Sequence, residues 1–298
     1  MSETSPGSVA VVGLGAMGGA MATLLVRRGW SVRGYDPSAE SVARARDAGV
    51  ATVASVADLA GTDQVLLSLP GAEQVRAVVP ELLGMDAVRL IVDTTTSDPQ
   101  TSVALAADAR ARGVVFVDAP VSGGPAGAAA GTLAAFVGAE EAGLAVATPL
   151  LDAISGGRWR HMGGPGAGNV TKLLNNALCA GAIALCAEAV DLAAAHGLDL
   201  DTVVAALNSG SGRNAATEVN FPRWVLPGTY DSGFPIRLMT RDVNLAADLA
   251  ARTGTARTVM DATRRSWQRA AEQLPPDADF NRAAQVIATT AALAGRPA

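Results

Sequence analysis

The chain has 298 residues and a formal net charge of −5, with 49% apolar, 17% charged and only 4% aromatic residues. That composition excludes a disordered polymer and describes a globular chain able to bury a large core built mainly from Ala, Val and Leu. The acidic balance and the absence of any basic run argue against nucleic acid as a partner.

The polar segment Met1–Ser8 lacks the apolar centre of a signal peptide. Ser8–Val12 is predicted as a strand, Gly13–Gly19 as a glycine turn, and the stretch to Arg28 as a helix. Ser31–Tyr35, Gln64–Leu69, Arg89–Val92 and Val114–Val117 are further strands, most of them followed by turn residues and a helical pattern. This alternation predicts a parallel sheet covered by helices on both faces. Ala119–Ala139 carries no charge but is interrupted by Pro120, Pro125 and several glycines, so no helix is expected there. Gly131–Gly138 and Arg158–Met162 read as later strands of the same sheet.

The character changes at Gly163–Gly168. Asn169–His196 reads as one long, nearly all-round apolar helix stopped by Gly197, with no convincing strand beyond. Its charge-free part, Leu173–Ala187, has 15 residues, short of the roughly 20 a membrane span needs. It also contains Asn175 and Asn176, so a buried helix of a soluble, cytoplasmic protein is expected, with no membrane partner. Asp201–Leu207, Ile236–Thr253, Ala256–Gln273 and Phe280–Leu293 are helical candidates, and Asn208–Phe221, with Arg213 and Asn214, reads as a polar connector. The expected architecture is an α/β Rossmann-type doubly wound sheet over residues 1–163, then an all-α domain over 164–298, joined by the long helix. So apolar a C-terminal half suggests a homodimer or homotetramer.

Cys179 and Cys186 lie seven residues apart, which on a helix separates their Cα atoms by about 10 Å, beyond disulfide reach. With no CxxC and only His161 and His196, no metal site is expected.

Gly13-Leu14-Gly15-Ala16-Met17-Gly18 is a GxGxxG between a strand and a helix, and Asp36 ends the next strand 18 residues after Gly18. In that context Gly13 permits a tight turn, Gly15 lets backbone approach a pyrophosphate, and Gly18 lets helix and strand pack closely. The helix start offers N–H groups to the phosphates. Asp36 suits an adenosine ribose and repels a 2′-phosphate, while Arg33, three residues earlier, points to the other face of the strand by parity. NAD is therefore expected in preference to NADP. Asp36 could also cap the following helix.

Four blocks recur in order: GLGAMGGAMA from Gly13, DAPVSGG from Asp118 with Gly131-Thr132-Leu133, GGPGAGNVTKLLNN from Gly163, and LMTRDVNLAADL from Leu238. Together they resemble the β-hydroxyacid dehydrogenase family, typified by 3-hydroxyisobutyrate dehydrogenases, over nearly the whole chain. The resemblance implies that Lys172 is the catalytic lysine, with Asn176 and Asn175 the amides beside it. It implies that Ser122, Gly123 and Gly124 bind a small carboxylate substrate. Leu69, Pro70 and Thr96 then line the dinucleotide, and Phe234 lies near the nicotinamide. Arg241 stands where the family usually has lysine, keeping the charge but not the compact ammonium.

The residues support the same chemistry independently. Oxidising an alcohol needs a base for the hydroxyl proton. Lys172 is the only lysine in the sequence. A lysine serves as such a base where burial disfavours its charged form, whereas arginine stays protonated. Asn176, at i+4, shares its helical face, and Asn175 is rotated from it by about 100°. The expected activity is NAD-dependent oxidation of a small 3-hydroxy acid. The alternatives are reduction of a semialdehyde or glyoxylate-like acid, an imine reductase, which generally lacks the lysine, and a nucleotide-bound module without turnover.

Overall fold

The computed structural model describes residues 7–288 and falls into two compact units that divide in sequence between Lys172 and Leu173. The first unit is built on one sheet whose strands are β1 Ser8–Val12, β2 Ser31–Tyr35, β3 Ala51–Thr52, β4 Gln64–Leu67, β5 Leu90–Asp93, β6 Val115–Asp118, β7 Val121–Ser122, β8 Ala134–Gly138 and β9 Trp159–Gly163. Between them run α1 Ala16–Arg27, α2 Ala39–Asp47, α3 Ala72–Leu83, α4 Pro99–Ala111, α5 Gly124–Ala130 and α6 Glu141–Ser155. The strand order is β3-β2-β1-β4-β5-β6-β8-β7, with β9 beside β8. Every pair from β3 to β6 is parallel, while β8 runs antiparallel to β6 and β7 and parallel to β9.

Successive residues of the central strands feed opposite faces. Val9 and Val11 join one apolar cluster and Ala10 and Val12 another; Leu66 joins the first, Val65 and Leu67 the second. Side chains alternate across a strand, so unbroken apolar runs such as VAVV and VLL are what a sheet covered on both sides demands. The doubly wound arrangement expected from the sequence is therefore present. The two-residue strands β3 and β7 are additions to the expected set, β4 ends two residues early, and β8 begins at Ala134, not Gly131. The stretch expected to be non-helical contains α5, which Gly123 opens and the left-handed Gly131 closes.

The second unit is helical. It takes up α7 Ala167–Ala195, which starts in the first unit, and continues through α8 Leu200–Ser209, α9 Ile236–Thr253, α10 Thr258–Gln273 and α11 Ala283–Ile287. Among its described residues the only strand-like pairing is an isolated bridge between Pro235 and Asp279. Ile183, Ala187 and Val190 of α7 pack with Phe221, Met239, Trp267 and Phe280 in its core, and the Trp267 indole N–H donates to the Ala180 carbonyl at 3.1 Å.

Three sequence expectations need correction here. α7 runs 29 residues, with a mean hydropathy of 1.8 over its most apolar window, so it is long and apolar enough to cross a membrane; the length argument against a span does not hold. One side of it is buried, including Lys172, Asn176 and Asp191, while Leu178, Leu185 and Leu192 are exposed. Residues 216–225, read as connector and beyond, form a wide π-type helix with Phe221 and Val225 in the core. The expected Phe280–Leu293 helix is a single 3-10 turn, Phe280–Arg282, followed by α11; its residues after 288 lie outside the described residues.

Candidate active site

Strands β1, β4, β5 and β6 run parallel, so the segments after Val12, Leu67, Asp93 and Asp118 all leave from one edge of the sheet. The strand order reverses between β1 and its neighbours β2 and β4, and in open α/β sheets ligands bind at the carboxyl edge beside such a reversal. Gly13–Gly18, Leu69 and Pro70, Thr96 and Ser122–Gly124 all lie in or next to these segments.

In the Gly13–Gly18 loop the three glycines serve three different needs. Gly13 has φ +93°, and a Cβ there would meet the Ser68 carbonyl oxygen. A Cβ on Gly18 would meet the carbonyl oxygen of Gly13. At Gly15 nothing lies within 4 Å, so the loop has open space above that residue, directly before the first turn of α1, which no side chain caps. An uncapped helix start beneath a vacant glycine fits a pyrophosphate. Gly15→Ala is therefore expected to leave the melting temperature unchanged and to weaken NAD binding about tenfold or more, as titration calorimetry would measure. Gly18→Ala is expected to destabilise the fold.

Asp36 follows β2 and accepts the N–H of Leu14 at 2.7 Å and that of Ser38 at 2.8 Å. Its carboxylate thus ties the glycine loop to the start of α2, whose cap is Ser38. Arg33 donates to the Ala60 carbonyl at 3.1 Å and to that of Asp58, so its guanidinium is engaged by that turn. In the Thr94–Thr96 run, the Thr94 hydroxyl donates to the Leu67 carbonyl, and the Thr95 hydroxyl accepts from the Leu69 N–H at 3.0 Å. Thr96 is the half-buried member of the three.

Beneath this edge lies a pair of acids that sequence reasoning missed. Asp93 and Asp118 are register partners ending β5 and β6, and both are fully buried. Burial pushes Asp93 up to about 7; Thr95, whose N–H it accepts at 2.9 Å, pulls it down, and neighbouring Asp118 adds a smaller upward push. Its Oδ2 has no hydrogen-bond partner. Burial likewise raises Asp118 to about 6, against the backbone N–H groups of Gly166, Asn169 and Gly168. The available signal was an acid closing two apolar strands, LIVD and VFVD.

A carboxyl raised from 3.8 to about 7 keeps, in the folded state, a proton that the unfolded chain gives up between those values. Its contribution is therefore most favourable below the unfolded value and is lost as pH rises through about 7. Asp93→Asn, which keeps an acceptor for Thr95, is expected to be the more stable protein at pH 8 by roughly 2–4 kcal/mol and nearly equal to wild type at pH 4. Denaturant melts across that range measure it; a difference independent of pH would refute it.

Lys172 is 7% exposed, and Asn176, one turn later on the same face of α7, is 4% exposed. In the second unit Leu173 and Ala177 pack against Ala246, which sets α9 against this part of α7. Asn176 donates to Asp242 Oδ2 at 2.6 Å, and Asn175 donates to the Asn176 Oδ1 at 3.0 Å. Arg241 donates through Nε (2.9 Å) and Nη2 (2.7 Å) to the other Asp242 oxygen. Asp242 is thus a buried hub that sequence reasoning did not single out; both its oxygens hold residues that it did. Arg241 also lines a cavity of about 470 Å³ with Arg237, Thr240 and Asn244. Phe234 sits edge-on to Phe280, with ring centres 5.4 Å apart, and packs on the second unit's core.

Residues 8–164 match the family described as the NAD binding domain of 6-phosphogluconate dehydrogenase. Residues 166–287 match that described as the NAD-binding of NADP-dependent 3-hydroxyisobutyrate dehydrogenase. The chain is 36% identical to an NAD-dependent L-serine dehydrogenase of Pseudomonas aeruginosa, covering 81% of this chain and 85% of that protein. It is 34% identical to a 2-(hydroxymethyl)glutarate dehydrogenase of Eubacterium barkeri, covering 80% and 81%. A solved Mycobacterium tuberculosis 3-hydroxyisobutyrate dehydrogenase with L-serine superposes with a TM-score of 0.85 at 32% identity, over 95% of this chain and 99% of that one.

Proposed function

The chain belongs to the 3-hydroxyisobutyrate dehydrogenase family of NAD-dependent oxidoreductases acting on CH–OH groups, and on that premise we propose that it oxidises a small 3-hydroxy acid with Lys172 as the general base. The observation that carries this reading is the burial of the chain's single lysine on α7, with Asn176 one turn away.

NAD, when bound, would supply the hydride acceptor for the carbon bearing the hydroxyl. The Gly13–Gly18 loop and the start of α1 would hold its pyrophosphate and Asp36 its adenosine ribose, with Leu69, Pro70 and Thr96 flanking it. The family resemblance would put Phe234 and Arg241 at the nicotinamide. Lys172 Nζ receives the proton of the substrate hydroxyl as the carbonyl product forms. Asn176, its amide oriented by Asp242, positions the hydroxyl or Lys172, and Asn175 supports that amide. Ser122, Gly123 and Gly124 hold the carboxylate with a hydroxyl and exposed N–H groups.

The substrates in the relatives' names support a narrower class. L-serine, 3-hydroxyisobutyrate and 2-(hydroxymethyl)glutarate all carry a CH2OH on the carbon next to a carboxylate, and they differ only in the third substituent. Turnover of 3-hydroxyisobutyrate, serine, 3-hydroxypropionate, threonate and glycerate with NAD and with NADP tests the reading. At least one is expected to turn over, with NAD preferred. Tight NAD binding with no turnover of any, or a marked NADP preference, would overturn it.

The same reading places the enzyme in the cytoplasm as a homodimer or homotetramer. Exposed Leu178, Leu185 and Leu192, at seven-residue spacing along α7, support the assembly, and light scattering measures it.

A further inference from the structure

The opening of α7 is clamped to the sheet by a single carboxylate. Asp118 Oδ1 accepts the Gly166 N–H at 2.7 Å and Oδ2 accepts the Asn169 N–H at 2.9 Å. The joint is too tight for side chains. A Cβ on Gly138 of β8 would meet Asp118 Oδ1, and one on Gly168 would meet the Phe136 carbonyl and lie 2.6 Å from that of Asp118. Asn169 adds a second clasp, accepting the Ser97 N–H at 2.8 Å and donating to the Ser102 hydroxyl at 3.0 Å. All these residues belong to the first unit.

Lys172 follows Asn169 by three residues, so its Cα lies about 4.5 Å further along the helix axis. Nothing between the two can absorb a shift, because an α-helical turn is rigid. We infer that Asp118 is a positioning residue for the hydroxy-acid oxidation: by seizing the opening N–H groups of α7 it sets the point from which Lys172 reaches the substrate. The inference rests on Lys172 being the acid/base. A carboxylate suits the task because it accepts at both oxygens and is favoured at the positive end of a helix. An amide of the same shape offers one acceptor and turns an N–H2 toward the helix's own N–H groups.

The test is Asp118→Asn, with Asn169→Ala as a second route to the same joint and Lys172→Met as the reference. Misplacing a reacting group by about 1 Å can cost about 10²-fold in rate. Asp118→Asn is expected to lower kcat by about 10- to 100-fold. Its KM and Kd for NAD should stay within about twofold, because the Gly13–Gly18 loop hangs from other strands. Asn169→Ala is expected to show the same split with a smaller loss in kcat. A folded Asp118→Asn protein with wild-type kcat and only a lowered melting temperature would overturn the inference, leaving the role of Lys172 standing if Lys172→Met is inactive. Should Asp118→Asn fail to fold, wild-type kcat in Asn169→Ala would overturn it. Full turnover by Lys172→Met would remove the base itself, and this inference with it.

Discussion

Lys172→Ala is expected to lose about 10³-fold or more in kcat while still binding NAD, since a positioned acid/base supplies typically 10²- to 10⁴-fold. Lys172 is the chain's only lysine, almost fully buried, and set one turn before Asn176 on α7. No arginine can replace it, because guanidinium does not deprotonate in the working range and is broader than an ammonium. Lys172→Arg is therefore expected to be as inactive as the alanine variant. Lys172→Met separates chemistry from packing, because it keeps most of the apolar stem and should melt near wild type. Steady-state NADH formation measures kcat, and calorimetric titration measures NAD affinity. Near-normal turnover in any of the three variants would end the assignment.

Asp242→Ala is expected to rank next, with kcat lowered about 10- to 100-fold through Asn176. Asp242 is 1% exposed and accepts from Asn176 with one oxygen and from Arg241 with the other. Removing it leaves a buried amide without its acceptor and a partly buried guanidinium without this carboxylate. A lost buried acceptor costs about 1–3 kcal/mol. The ion pair adds less than a fully buried one, because Arg241 remains about one-third exposed. The substrate KM should rise along with the fall in kcat, and NAD affinity should weaken as Arg241 loses the carboxylate that holds it. Asp242→Asn keeps one acceptor for Asn176 and is expected to recover part of the rate. A variant that loses stability yet keeps kcat would reduce Asp242 to a structural role.

Much of the fold could be read directly. Helix α9 was expected at Ile236–Thr253 and occurs there, and α7 is displaced by no more than two residues at either end. Both carry long apolar patterns, and a long pattern averages over local exceptions. The two-residue strands β3 and β7 are too short to show any period. The wide helix at Ala216–Val225 was hidden by Pro222 inside it and by the polar segment before it. Burial of Phe221 and Val225 holds that segment helical, which is a tertiary effect.

The candidate site divides in the same way. Glycine spacing, an acid after the second strand and one lysine on an apolar helix are local features, and each has a local physical reason visible in the order of residues. Asp93, Asp118 and Asp242 were just as visible as letters, but what surrounds or engages them lies far along the chain: Asp93 is set beside Asp118 by strand register, Asp118 is 48 residues from Gly166, and Asp242 is 66 from Asn176. Hydrogen bonds between distant segments leave no periodicity behind. An acid's surroundings, and so its protonation, depend on which elements bury it. Residue order alone specifies the doubly covered sheet, the nucleotide loop and the identity of the candidate base. Long-range packing dictates which carboxylates lose their water, and which of them hold the opening of α7 and the Asn176 amide.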